Sequence, residues 1–195
     1  MTSPISPNVC KYVAALPLGS HAILCYDTEA EAAQVFNSYL KGGLDRDEVV
    51  RLIAPTRQVY SQFLHGTGVD PERLERDGRL RFLSMPELFA NNRRSPLNID
   101  RALQLMWKLS QEDRDEGFKG TRVISLSDHY LEYISPSDLL RLELAIGCTS
   151  NLSLTATCTY DGRKLLKRGL GEFLLSLFQH HGKIIGKELT IENPK

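Results

Sequence analysis

Hydrophobic and polar positions in residues 21–55 follow the pattern of a strand, a helix and a second strand. Two apolar runs, Ala22–Tyr26 and Val49–Ala54, have the length of buried strands. The segment between them carries apolar residues at the i, i+3, i+4, i+7 spacing of one helix face, namely Ala32, Val35, Phe36, Tyr39 and Leu40. Gly42 and Gly43 come next and predict the end of the helix. The three elements together predict a βαβ unit with parallel strands.

The turn between the first strand and the helix is where a nucleotide-binding protein of this topology carries its phosphate loop. Such a loop needs glycines, so that backbone N–H groups can approach the anion, and a lysine to neutralise it. Residues 26–31 read YDTEAE and contain neither. Thr28 and Glu31 instead have the spacing of a capping box, which satisfies the free N–H groups of the first turn. The sequence therefore predicts a nucleotide-binding topology without the chemistry that holds a phosphate.

The alternation of strand-like and helix-like patterns continues along the rest of the chain. Further strands are predicted at Leu80–Leu83, Arg122–Leu126 and Leu152–Thr159, with a final strand or hairpin in residues 183–191. Amphipathic helices are predicted between them, and the longest is Leu97–Glu116. Because strands alternate with helices throughout, the sequence predicts an α/β fold, a three-layer α/β/α sandwich with a mostly parallel central sheet.

The length of 195 residues suits one domain. Residues 1–18 contain three prolines and several small polar residues, and we predict an N-terminal tail that leads into the first strand. Residues 19–191 are predicted to form a single α/β domain. The apolar fraction of 42% and the charged fraction of 25% are ordinary for a soluble globular protein.

The charge balance argues against nucleic acids and anionic membranes as direct partners. Basic and acidic residues number 24 each, so the formal charge is zero and gives no long-range attraction to polyanions. No apolar run approaches the ~20 residues of a membrane span, and the first ten residues lack the features of a signal peptide. We therefore expect a cytoplasmic protein. The cysteines form no CxxC pair and are expected to be reduced thiols: Cys10, Cys25, Cys148 and Cys158.

Several segments in residues 19–189 occur together in a fixed order. The first half contains HAILCYD, FNSYLKGGLDRDEVVRLIAP and LHGTGVDPERLERDGRLRFL. The second half contains EGFKGTRVISLSD, LLRLELAIG, LSLTATCTYDGRKL and HHGKIIGKEL. This ordered set resembles the MEDS domain family, the sensory domain named for methanogens, methylotrophs and the DcmR regulator.

The resemblance implies a RecA/KaiC-like fold, because the family is regarded as a degenerate relative of RecA/KaiC-type ATPases that has lost the phosphate loop. It also implies a sensory role, since members are proposed to sense small molecules such as hydrocarbon derivatives and often accompany DNA-binding or kinase domains. We expect such an output partner to be supplied in trans. Arg122 and Glu143 match positions where the family carries Arg and Glu, and we predict an ion pair between them. Two separate exposed charges are the alternative.

Ligands of open α/β sheets bind at the carboxyl ends of the strands, and polar residues follow several of the predicted strands. The candidate ligand-binding residues at these ends are Tyr26, Asp27, Thr56, Asp128, His129, Tyr160 and Asp161. His21, just before the first strand, is a further candidate, with a purely structural histidine as the alternative. A pocket of this kind suits a small organic ligand. The alternative is that these residues are ordinary helix caps.

Metal binding and catalysis are not predicted. Side chains of types that ligate metals occur at the strand ends, namely Asp27, Asp128, His129 and Asp161. No local motif fixes their spacing, and no catalytic triad signature or nucleophile elbow occurs. His180-His181 and the basic residues of 163–168 are interpreted as a solvated face, with an anionic partner as the alternative. We therefore expect no catalytic residue, no metal and no cofactor.

Three functions follow from these observations. The favoured one is a non-enzymatic sensory or regulatory domain that binds a small organic ligand or a signalling partner, because the phosphate loop is replaced by a capping box. The second is a divergent NTP-binding or ATPase relative, although the nearby cations Lys41 and Arg46 follow the helix and lie at its wrong end. The third is an interaction module that forms homo-oligomers or docks through a sheet edge or the helix that carries Trp107.

Overall fold

The structure is a computed structural model that describes residues 5–65, 68–88, 99–147, 153–186 and 190–192. Its strands are β1 (His21–Tyr26), β2 (Glu48–Ala54), β3 (Leu80–Ser84), β4 (Gly120–Leu126), β5 (Leu154–Asp161), β6 (Lys183–Ile185) and β7 (Thr190–Glu192). They form one sheet in the order β3-β2-β4-β5-β1-β6-β7. β1 to β6 are parallel, and β7 pairs with β6 in the antiparallel direction.

Helices cover both faces of this sheet. They are α1 (Pro7–Ala15), α2 (Glu29–Asp45), α3 (Arg57–His65), α4 (Pro71–Arg76), α5 (Met85–Leu88), α6 (Ile99–Asp115), α7 (Pro136–Gly147), α8 (Gly162–Lys167) and α9 (Gly171–His180), with a 3-10 helix at Ser127–Glu132. α1, α2 and α3 pack on one face, and α6, α7 and α9 pack on the other. This arrangement confirms the predicted three-layer sandwich with a mostly parallel sheet.

The predicted capping box forms at the start of α2. Thr28 Oγ1 accepts a hydrogen bond from the Glu31 amide at 3.3 Å. In return, Glu31 Oε2 accepts from the amides of Asp27 at 2.9 Å and Thr28 at 3.3 Å. The amides of Asp27 and Thr28, at the turn where a phosphate loop would bind an anion, are thus occupied by a carboxylate, and Glu31 is buried.

Gly42 and Gly43 do not end α2, contrary to the prediction, because the helix continues through them to Asp45. A Cβ atom at Gly42 would lie 2.2 Å from the Ala14 carbonyl oxygen on α1. A Cβ atom at Gly43 would lie 2.8 Å from Arg122 Cδ. The pair is therefore explained by close packing of α2 against α1 and the sheet, which offsets the low helix propensity of glycine.

Residues 5–18 pack on the domain and correct the tail predicted for residues 1–18; residues 1–4 lie outside the described residues. Ser6 caps α1 through a hydrogen bond from the Asn8 amide at 3.3 Å, and Pro7 occupies the first turn. Val9 and Val13 are buried in the core. Proline fits the first turn of a helix as well as a loop, so proline content alone does not define a tail.

Arg122 and Glu143 do not form the predicted ion pair. Arg122 is fully buried on the α1–α2 side of the sheet, where it pairs with Glu48 and donates to the Leu16 carbonyl oxygen at 2.7 Å. Its guanidinium also lies 4.9 Å from the centre of the Tyr39 ring. Glu143 belongs to α7, on the opposite face. Because side chains alternate along a strand, Arg122 on β4 points away from α7 and cannot reach it.

A second buried ion cluster lies between the sheet and α6. Asp113 is fully buried and accepts hydrogen bonds from Arg51 Nε at 2.9 Å and from Thr121 Oγ1 at 2.6 Å. Arg81 Nη1 lies 2.9 Å from the other carboxylate oxygen of Asp113. The cluster joins β2, β3 and β4 to the last turn of α6.

Candidate functional site

An open groove of about 780 Å³ lies at the carboxyl edge of the sheet. The start of α2 and the exposed side of α3 form its walls, and the ends of β1 and β4 close it below. Its lining combines apolar and polar groups, including Tyr26, Ala30, Ala33, Gln34, Val59, Gln62, Phe63, Leu126 and His129. The groove occupies the position where a nucleotide would meet a phosphate loop, beside the capping box.

Two of the candidate ligand-binding residues, Tyr26 and His129, line this groove. Burial raises the pKa of the Tyr26 hydroxyl above its usual value, and the carboxylates of Asp128 and Asp161 add to the effect. Tyr26 therefore carries its proton and can donate a hydrogen bond to a ligand. His129 is oriented by Glu132, whose Oε1 lies 2.9 Å from the imidazole Nδ1.

Asp27, Thr56 and Asp161 lie near the same edge, and two of them act as helix caps. Thr56 Oγ1 accepts from the Val59 amide at 3.2 Å, and Asp161 Oδ1 accepts from the Lys164 amide at 2.8 Å. Asp27 is exposed, with Arg163 Nε 3.9 Å from its carboxylate. Thr56 and Asp161 therefore act as helix caps, which was the alternative to a ligand-binding role.

Asp128 is buried and forms an ion pair with Lys164, whose Nζ lies 2.7 Å from Oδ2. Its second oxygen, Oδ1, is buried without a hydrogen-bond partner among the described residues. Lys164 belongs to the basic segment that the sequence assigns to a solvated face. The structure therefore places its ammonium against the buried Asp128 at the end of β4, while about 40% of the Lys164 side chain stays exposed.

His21 and Tyr160 belong to a different cluster, on the α7–α9 face of the sheet. His21 Nε2 lies 3.0 Å from Glu143 Oε2 and 3.5 Å from Cys158 Sγ. Tyr160 donates a hydrogen bond to Glu143 Oε1. His181, which follows α9, places Nε2 3.7 Å from Glu143 Oε2. This cluster is separate from the groove, so the predicted set of ligand-binding residues divides between two places.

The electrostatics of this second cluster centre on a buried carboxylate. Burial raises the pKa of Glu143, but interactions with His181 and His21 outweigh burial, and the pKa lies below its ordinary value. Glu143 is therefore ionised. The pKa of the Cys158 thiol is raised well above its usual range by burial and by the charge of Glu143. Cys158 therefore carries its proton in this cluster.

The participation of Glu143, Cys158 and His181 in one cluster is missed by the sequence analysis. One signal was available, since Cys158 and Tyr160 alternate along β5 and must share a face. The contribution of His181 depends on how α9 returns to the sheet, and no local pattern encodes that return.

Cys25 lies at the end of β1, and its thiol gives a test of burial at this end of the strand. Burial, with a smaller contribution from Asp27, raises the pKa of its thiol from 9.0 to about 12. Because the thiolate is the reactive form and each pKa unit changes its amount about tenfold, we expect iodoacetamide to label Cys25 about a thousandfold more slowly in the native protein than in urea. Peptide mass spectrometry after timed labelling at pH 8 measures both rates, and a native rate close to that in urea would contradict the burial.

The order of strands and helices, with a capping box in place of the phosphate loop, defines a RecA/KaiC-like α/β domain. The sequence profile of MEDS, the MEthanogen/methylotroph, DcmR Sensory domain, matches residues 20–176. The chain therefore belongs to the MEDS family, as the resemblance of its sequence segments implies. The family is a family of sensory domains.

Solved structures agree with this assignment at the level of the fold. An uncharacterized protein from Pyrococcus horikoshii, crystallised in complex with an unknown peptide, is 13% identical, with a TM-score of 0.63 over 91% of this chain and 80% of its own. A KaiC-like protein from the same archaeon is 15% identical, with a TM-score of 0.56 over 88% of this chain and 72% of its own. No curated protein matches the sequence. Within the described ranges, every helix is too short or too polar to cross a membrane.

Proposed function

We propose that this chain is a non-enzymatic sensory domain that binds a small organic ligand in the groove at the carboxyl edge of the sheet. The observation that carries this proposal is the coincidence of a large open groove with an occupied, acidic capping box. The groove lies where doubly wound α/β folds bind nucleotides, while Glu31 already accepts the amide hydrogens of Asp27 and Thr28 at this turn.

The lining of the groove selects the chemistry of the ligand. Phe63, Val59 and Leu126 offer apolar surface, while the Tyr26 hydroxyl and the His129 imidazole offer hydrogen bonds. A few placed polar groups on an apolar wall are typical of sites for small organic molecules. The carboxylates of Glu29 and Glu31 in the first turn of α2 disfavour anions. The preferred ligand is therefore uncharged and lacks phosphate groups.

The sensory assignment needs an output, and we place that output in a separate protein. The partner is a DNA-binding or kinase protein that contacts the domain in trans, in the cytoplasm. Binding in the groove would change the conformation at the start of α2 and on the exposed face of α3, since both helices contribute to the walls of the groove. Ligand-dependent contact with a partner through these helices is the simplest route for the signal.

The test uses a pair of neighbouring substitutions on α3. Gln62 and Ser61 are both exposed, but only Gln62 lines the groove. A panel of small uncharged compounds, such as alcohols, amides and halogenated alkanes, is screened by thermal unfolding. A ligand at ~100 times its dissociation constant stabilises by ~2.7 kcal/mol. We expect a saturable stabilisation that persists in Ser61→Trp and is lost in Gln62→Trp, because the indole fills the groove.

Two results would contradict the proposal. One is a stabilising compound whose effect is the same in both tryptophan variants, which would place its site elsewhere. The other is a saturable stabilisation by Mg·ATP, which would favour the divergent NTP-binding function over the sensory one. Light scattering of the free domain, with and without the compound, measures whether homo-oligomer formation accompanies binding.

A further inference from the structure

We propose that His21, Glu143, Cys158 and His181 bind a zinc ion. The site lies between β1, β5, α7 and the segment that follows α9, on the face of the sheet opposite to α2. It is distinct from the groove, so the proposal stands independently of the ligand proposed there.

The distances among three of the donor atoms, and the distance from His181 to one of them, fit a tetrahedral site. One donor atom from each of His21, Glu143 and Cys158 lies within 4.8 Å of the others. Zinc bonds of ~2.0–2.3 Å place ligand atoms about 3.3–3.8 Å apart at the corners of a tetrahedron. The separations of His21 Nε2 from Cys158 Sγ, 3.5 Å, and of His181 Nε2 from Glu143 Oε2, 3.7 Å, fall in this range. His21 Nε2 and Glu143 Oε2, at 3.0 Å, need to separate by a few tenths of an ångström.

Hydrogen bonds outside the donor set already orient two of the ligands. His181 Nδ1 lies 2.6 Å from the Leu177 carbonyl oxygen, so this nitrogen carries the hydrogen and Nε2 presents its lone pair to the cluster. Tyr160 donates to Glu143 Oε1, which leaves Oε2 to face both imidazoles. Backbone and hydroxyl partners of this kind are the usual outer contacts of metal ligands.

The Glu143 carboxylate points to a cation at the same place. Its Oε2 atom is buried and makes no hydrogen bond of acceptable geometry with the described residues, although His21 Nε2 lies only 3.0 Å away. A metal ion bound by both Glu143 Oε2 and His21 Nε2 would explain why these atoms are close together but poorly aligned for a hydrogen bond. A zinc ion there also balances the charges, because one thiolate and one carboxylate neutralise Zn²⁺ in the buried interior.

The combination of donors selects the metal. Two imidazoles, one thiolate and one carboxylate suit zinc, whereas calcium and magnesium require oxygen ligands. Four protein ligands leave no open position, which is typical of a structural site. On binding, the Cys158 thiol ionises, a sulfur–zinc bond forms, and the proton leaves to the solvent. The ion would fix the segment after α9, and with it β6, to the centre of the sheet.

The experiment starts from the full chain after treatment with a chelator and dialysis. Titration with Co²⁺, a spectroscopic substitute for zinc, is followed by absorption, and bound zinc is then measured by elemental analysis. We expect one Co²⁺ per chain, a tetrahedral visible spectrum, a thiolate-to-cobalt charge-transfer band, and displacement of Co²⁺ by Zn²⁺. Failure of the wild-type chain to take up Co²⁺ or Zn²⁺ near one equivalent would overturn the proposal.

Matched variants assign the ligands. Cys158→Ser should remove the charge-transfer band, and His181→Gln should weaken binding of the metal. Cys25→Ser and His180→Gln are the controls, and both should leave the spectrum unchanged. Tyr160→Phe should weaken zinc binding ~10–100-fold, because it removes an outer hydrogen bond to Glu143. A charge-transfer band that survives in Cys158→Ser would also overturn the assignment.

Discussion

Replacement of Arg122 by leucine is expected to lower the free energy of unfolding by about 3–5 kcal/mol, because it leaves the Glu48 carboxylate buried without its ion-pair partner. Both side chains are buried, and Arg122 also donates to the carbonyl oxygen of Leu16 beyond α1. The substitution therefore removes the partner of a charge and a contact that holds the N-terminal helix. Urea unfolding followed by far-ultraviolet circular dichroism measures the effect.

The control for this prediction is Arg141→Leu. Arg141 is exposed and pairs with Asp138 on the surface of α7, where an ion pair contributes at most about 1 kcal/mol. The double variant Arg122→Leu/Glu48→Leu should recover part of the loss, because the buried carboxylate is then absent as well. Equal midpoints for Arg122→Leu and Arg141→Leu would show that the buried pair has no special role in stability.

Asp113→Leu is expected to lower the free energy of unfolding by about 3–5 kcal/mol, because it leaves a buried positive charge without its ion-pair partner. Asp113 accepts hydrogen bonds from Arg51 and Thr121 and lies 2.9 Å from Arg81 Nη1. Its removal leaves the Arg51 guanidinium without its carboxylate partner, and the Arg51 side chain is also buried. Urea unfolding in low and high salt measures both the loss and its small dependence on screening.

Asp115→Leu is the matched control, because Asp115 lies two residues further along the same helix and is exposed. A negative charge near the C-terminal end of a helix is slightly unfavourable, so this substitution should change stability by less than about 0.5 kcal/mol. A loss in Asp115→Leu as large as in Asp113→Leu would point to the fraying of α6, and not to the ion cluster, as the cause.

Local patterns in the sequence predicted the layered fold and the capping box correctly. The βαβ unit, the alternation of elements and the pair Thr28–Glu31 depend on neighbours in the chain, and periodicity and spacing report on such neighbours. The glycines of α2 show the limit of this approach. Their signal is ambiguous, because a close crossing of helices and a helix end both require a residue without a side chain.

Long-range partners could not be predicted in the same way. Arg122 and Glu143 are charges at buried positions, so each needs a partner, and the sequence offers many. Only the register of β4 against β2 shows that Arg122 faces the α2 side, where Glu48 is available. The cluster around Glu143 similarly requires the position of α9, which brings His181 to His21 across most of the chain.

The place of β1 in the sheet affects how the chain is made. β1 is complete at Tyr26, but its neighbours are β5 and β6, which begin at Leu154 and Lys183. At ~5–20 residues per second, the ribosome needs on the order of ten seconds to add the intervening chain. Through this interval Ile23 and Leu24, both buried in the finished fold, have no strand to pair with. During synthesis, a chaperone bound to β1 would therefore shield apolar side chains that the finished fold buries.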